Sequence, residues 1–155
     1  FGIRVSGLGD KWFTAPALVP DGLFFPGYGP QDASLDLGDS AIMETCGFGA
    51  FAMAAAPAVL SFVGGKASEA VEYTKKMYSI TVGESASYTV PILGFRGLPT
   101  GIDVIKVLKT GLQPMINTGI AHKLAGIGQI GAGIAKVPLG CFEKALVEYD
   151  EKYLR

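Results

Sequence analysis

The apolar positions of this chain fall in short blocks divided by glycine and proline, a pattern that predicts brief strands and broken helices. Phe1–Val5 reads as a short strand that stops at S-G-L-G-D. Lys11–Asp21 is a proline-punctuated connection holding Trp12, and Gly22–Phe25 is a second brief strand. Pro26–Gly38 carries glycine, proline and aspartate at turn density, which predicts an ordered loop of the kind that often carries a site.

Asp39 or Ser40 suits a helix N-cap, because either side chain accepts from first-turn amides, and Glu44 follows near the positive helix end. The spacing then predicts a glycine- and alanine-rich buried helix to about Val63, kinked at Pro57 and ended by Gly64-Gly65. Ser68–Tyr78 has the mixed pattern of a surface helix. Ile80–Val82 and Tyr88–Leu93 read as strands joined by a G-E-S-A-S turn, and Thr100 with Asp103 opens a helix through Lys109 that Gly111 terminates. Pro114–Thr118 is a further strand. Pro138 begins a last amphipathic helix, with Leu139, Phe142, Leu146 and Tyr149 on one face. The fold class predicted is α+β (mixed α/β), with short strands packed against the Gly/Ala-rich helix and the C-terminal helix. At 155 residues, one domain over 1–155 is expected.

Composition narrows the function. With 13 basic against 14 acidic residues and no basic stripe, nucleic acid is not an expected partner. The most apolar run, Phe48–Val63, is interrupted by Pro57 and falls short of the roughly 20 residues a membrane span requires, so no membrane association is expected. Cys46 and Cys141 lack metal-site or disulfide-framework spacing and read as reduced, buried cytosolic thiols; no metal site and no cofactor is expected. The abrupt opening F-G-I-R-V, without an initiator methionine, reads as a strand entered partway in a longer protein.

The 22 glycines are about twice the usual share. Four of them, Gly126, Gly128, Gly131 and Gly133, fall within eight residues, directly after the one histidine, His122, and Lys123. Something must approach that backbone closely, because glycine adds no buried area of its own. G-I-G-Q-I-G matches a dinucleotide fingerprint in letters, but the strand-to-helix context is missing. Two readings stay open. Successive free amides can form a concave site for phosphate or carboxylate, or the segment can simply pack beneath another element.

In the functional reading His122 is the general acid or base, Lys123 holds an anion, and Asn117, Thr118 and Gln129 add donors and acceptors around Gly126, Gly128 and Gly131. Glu44 is the second catalytic candidate, with Asp39 and Ser40 facing the same cleft; the bland alternative makes Asp39 and Ser40 helix caps and leaves Glu44 to complement the helix dipole. Arg96, like Arg4, is a candidate bidentate clamp for a carboxylate or phosphate, or an ordinary ion-pair partner.

The blocks R-V-S-G-L-G-D-K-W-F-T-A-P (Arg4–Pro16), F-P-G-Y-G-P (Phe25–Pro30), G-D-S-A-I-M-E-T (Gly38–Thr45), A-M-A-A-A-P-A (Ala52–Ala58) and I-N-T-G-I-A-H-K with G-I-G-Q-I-G-A-G resemble the carboxyl-terminal part of the YlbE-like proteins, a bacterial domain family of unknown function. Members occur beside FdrA-like proteins and carbamate kinases in allantoin and purine catabolism. The resemblance therefore implies a cytoplasmic subunit of an oxamate carbamoyltransferase, an oligomer with an FdrA-like partner subunit, acting on oxalurate, oxamate and phosphate. It carries no residue assignments. A non-catalytic assembly subunit is the rival expectation, and nucleotide binding a weaker third.

Overall fold

The computed structural model describes residues 1–155. Gly2–Ile3 (β1) pairs antiparallel with Phe13–Thr14 (β2), and Asp21–Phe24 (β3) follows. A loop leads to the short helix Ile42–Thr45 (α1), a 3-10 stretch at Gly49–Ala55, then Pro57–Phe62 (α2) and Ala70–Tyr78 (α3). Thr81–Val90 (β4) pairs antiparallel with Arg96–Ile102 (β5), ahead of Val104–Thr110 (α4). Met115–Ala121 (β6) and Gln129–Lys136 (β7) form a hairpin, β3 adds to the far side of β7, and Leu139–Tyr153 (α5) closes the chain. The fold is thus α+β: small antiparallel sheets with helices packed beside them.

Local signals operate where they were read. Asp103 is the N-cap of α4, its Oδ1 accepting from the amides of Ile105 at 2.9 Å and Lys106 at 3.0 Å, and Gly111 ends the helix at φ +67°. Pro138 stands directly before α5, whose Cys141, Phe142 and Ala145 are buried. The main core gathers Phe51, Met53, Leu60, Met77, Ile116 and Phe142.

Two expectations are corrected. The helix expected from Asp39 or Ser40 to Val63 is three pieces, because Gly47 (φ +90°) and Gly49 (φ +61°) leave the helical region and Pro57 lacks an amide donor. Neither Asp39 nor Ser40 caps it: α1 begins after Ala41 with no side-chain cap, and Asp39 Oδ1 accepts only the neighbouring Ser40 amide, at 3.0 Å. Nor is G-E-S-A-S a turn between two strands. It lies within β4, where a register shift between Glu84 and Thr89 absorbs it, and the reversal comes later, at Gly94 and Phe95, both with positive φ.

The glycine-rich segment is mostly strand. A Cβ on Gly131 would stand 2.3 Å from the Leu23 carbonyl oxygen, and one on Gly133 would stand 2.6 Å from that of Asp21. The element that approaches this backbone closely is β3, and side chains there would force it away from β7.

Candidate functional site

Strand β6 carries candidate residues at its middle and beyond its end, and the two groups are distinct. Asn117 and Thr118 lie in mid-strand, opposite Ile134 and Gly133 of β7. His122 follows four residues after Thr118, roughly 13 Å further along an extended chain.

At mid-strand, Glu44 is 1% exposed. Its Oε1 accepts the Ala50 amide at 3.0 Å and the Asn117 amide at 3.0 Å, and Gly49 leaves room for it, since a Cβ there would lie 2.0 Å from that oxygen. Glu44 therefore ties the start of the 3-10 stretch to the outer edge of β6. Its Oε2 is buried with no partner among protein atoms, and so is Oδ2 of Asp36. Burial raises both carboxyls above their ordinary values; the Ala50 and Asn117 amides oppose this at Glu44 while the charge of Asp36 adds to it, and at Asp36 the Gly38 amide opposes the shift while Asp39 adds to it. Ser40 Oγ lies 3.3 Å from Thr118 Oγ1, so Ser40 and Glu44 do meet Asn117 and Thr118. Asp39 stays exposed. Asp36, set between Leu35 and Leu37, escaped the sequence reading; an acid flanked by two apolar residues was the available signal.

Beyond the strand end lies the hairpin tip. His122 forms a bridge with Ala33, donates its amide to the Gly128 carbonyl at 2.9 Å, and meets the Tyr28 ring edge-on at 5.8 Å between centroids. The Leu124 amide donates to His122 Nδ1 at 2.9 Å. Lys123 is held to the same loop, its amide on the Asp32 carbonyl at 2.8 Å and its Nζ on that of Gln31 at 2.6 Å. The amides of Ala125, Gly126, Ile127 and Gly128 donate to no protein acceptor. Gly126 and Gly128 have φ near +90°, with open space where a Cβ would be. Free amides are thus confined to the turn, and those of Gly131 and Gly133 sit within the three-stranded sheet.

The other candidates disperse. Gln129 turns back along β7, its Nε2 donating to the Gly131 carbonyl at 2.8 Å. Arg96 lies on β5, stacked 3.7 Å from the Tyr78 ring centroid and paired with Glu84 at 2.6 Å. Arg4 pairs with Asp10. Neither arginine joins the hairpin tip. Cys46 is exposed, not buried as expected, while Cys141 is buried. Separately, an apolar groove of about 1150 Å³ opens between β1, α4 and α5, lined by Phe1, Ile3, Trp12, Val104, Leu146 and Tyr149 among others; Arg4 stands in its wall, and the residues of the hairpin tip and of the Glu44 cluster do not.

A model of the family described as oxamate carbamoyltransferase subunit AllG matches residues 1–40. The chain is 53% identical over 153 residues to the uncharacterized protein YahG of Escherichia coli strain K12, covering 99% of this chain and 32% of that protein. A crystal structure of a conserved protein of unknown function from Enterococcus faecalis V583 has a TM-score of 0.91 at 56% identity, covering 94% of this chain and 35% of that one. The chain therefore spans about a third of the length of these relatives. Over 147 residues, 94% of its own length and 35% of the relative's, it is 52% identical to the oxamate carbamoyltransferase subunit AllG of E. coli strain K12.

Proposed function

We propose that this chain is part of a carbamoyltransferase subunit, in which a carbamoyl group passes from oxalurate to phosphate, yielding oxamate and carbamoyl phosphate. The observation that carries the reading is the 52% identity, over 147 residues, with a relative named as an oxamate carbamoyltransferase subunit. The chain is then one domain at the carboxyl end of a longer, YlbE-like subunit. It works in the cytoplasm, in purine catabolism, within an oligomer that contains an FdrA-like partner.

Within that assembly the hairpin tip is the anion contact. The unpaired amides of Ala125–Gly128 and the ring of His122 belong to one turn, and such donors suit a carboxylate, a phosphate or a developing oxyanion. Glu44 is taken from the catalytic set in this reading, because its accepting oxygen is engaged by two backbone amides. In the assembled enzyme His122→Ala lowers the carbamoyl-transfer rate about a hundredfold, the usual contribution of one oxyanion donor. A rate within about threefold of wild type removes His122 from the reaction.

The apolar groove favours a second reading, a non-catalytic part that docks on other polypeptide. It predicts that substitutions at the hairpin tip leave transfer unchanged, while Ile105→Asp, in the groove wall, releases the chain from its partner.

A further inference from the structure

We infer that His122 serves the hairpin-tip site as a neutral hydrogen-bond donor through Nε2, directed at an oxygen of the ligand, and that the Leu124 amide is the group that holds it in this form. The inference rests on the reading of the tip as an anion contact.

A neutral imidazole has one N–H and one lone pair, on different nitrogens. Here the lone pair is on Nδ1, because the Leu124 amide donates to that atom at 2.9 Å. The proton is therefore on Nε2. The ring is also held in place: the His122 amide is on the Gly128 carbonyl, its backbone bridges Ala33, and the Tyr28 ring meets its face or edge at 74°. Placing a second proton on Nδ1 would set two N–H groups against each other and cost the bond to Leu124.

The consequence is a choice among roles. A base, or a metal ligand, needs a lone pair on the outward nitrogen, and this tautomer has none there. A neutral ring that surrendered its Nε2 proton would become an imidazolate, a strongly basic anion, so full transfer of that proton is unfavourable near neutral pH. What remains is polarisation. Nε2–H donates to a carbonyl or oxyanion oxygen without transferring its proton, adding to the donors of Ala125–Gly128. The tip thus offers the Nε2–H of His122 beside the amides of Ala125–Gly128, which suits ligands that present oxygen acceptors, such as a carboxylate or the carbonyl of a carbamoyl group.

The chain contains one histidine, so its ring nitrogens are assigned without ambiguity. In the 15N-labelled chain, at a pH where the ring is neutral, correlations from the carbon-bound ring protons are expected to show an unprotonated Nδ1 and a protonated Nε2. The reverse pattern overturns the inference. Oxamate binding supplies a second readout. His122→Gln, whose amide nitrogen reaches the Nε2 position, retains affinity within about fivefold, whereas His122→Asn loses about tenfold or more, the equivalent of one hydrogen bond. Equal losses in both variants, or no oxamate binding to the wild-type chain, overturn it. Intact oxamate binding with the expected tautomer, alongside no carbamoyl transfer by the wild-type assembly, counts against the proposed reaction and leaves the donor role standing.

Discussion

Glu44 Oε1 accepts the backbone amide of Asn117 at 3.0 Å, joining residues 73 positions apart through one buried oxygen. The same oxygen takes the Ala50 amide at 3.0 Å, so the carboxylate covers the open edge of β6 and starts the 3-10 stretch at once. An uncovered edge amide in the interior would cost about what a lost hydrogen bond costs.

Glu44→Gln is expected to keep this arrangement, since the amide oxygen accepts both donors and the buried charge is gone. Its stability to urea should lie within about 1 kcal/mol of wild type, whereas Glu44→Ala, which strands two buried amides, should lose about 2–4 kcal/mol. Equal losses in the two variants would show that the carboxylate's charge, not its accepting oxygen, is what the fold uses.

The acid pair makes stability depend on pH. Burial raises the carboxyls of Asp36 and Glu44 above their unfolded values, so the folded chain binds more protons than the unfolded one in the window between them. Their contribution is complete below the unfolded carboxylate range and is lost as pH rises through the raised values. The melting temperature should therefore climb as pH falls from above the raised values toward the ordinary carboxylate range, and the climb should flatten in Asp36→Asn/Glu44→Gln. A double variant with an unaltered pH profile would contradict this.

Close approach by β3 sets different tolerances for glycines of the same hairpin. Gly131→Ala meets the Leu23 carbonyl oxygen at 2.3 Å, a backbone atom that cannot step aside, and should cost about 1–3 kcal/mol. At Gly119 the nearest neighbour is the side chain of Gln129 at 3.0 Å, which can turn, so Gly119→Ala should stay within about 0.5 kcal/mol. Chemical denaturation of the two variants distinguishes them.

These positions mark where sequence reasoning stops. The N-cap at Asp103, the stop at Gly111 and the start at Pro138 were legible because each acts within a few residues of itself. The break in the helix expected to Val63 was only half legible: Pro57 announced a kink, but nothing local told that Glu44 would turn inward to amides 6 and 73 residues away. Gly126 and Gly131 are alike in sequence yet differ in use, one in an open turn and the other beneath β3, and only the pairing of distant strands separates them. Ser40 and Glu44 lie against Thr118 and Asn117, contacts between residues 78 and 73 positions apart. Arg96 was not foreseeable as a partner of Glu84, since a register shift in β4 brings them together.

The central claim is that an oxygen-bearing anion is held at the hairpin tip, and backbone amide mapping during titration with oxamate, and separately with phosphate, tests it most directly. The account predicts concentration-dependent shifts concentrated in the amides of Leu124–Gly128 and in the ring of His122, with Arg96 and the groove residues unmoved. Shifts centred on the groove around Val104 and Tyr149, or none at the tip at saturating concentrations, would contradict it.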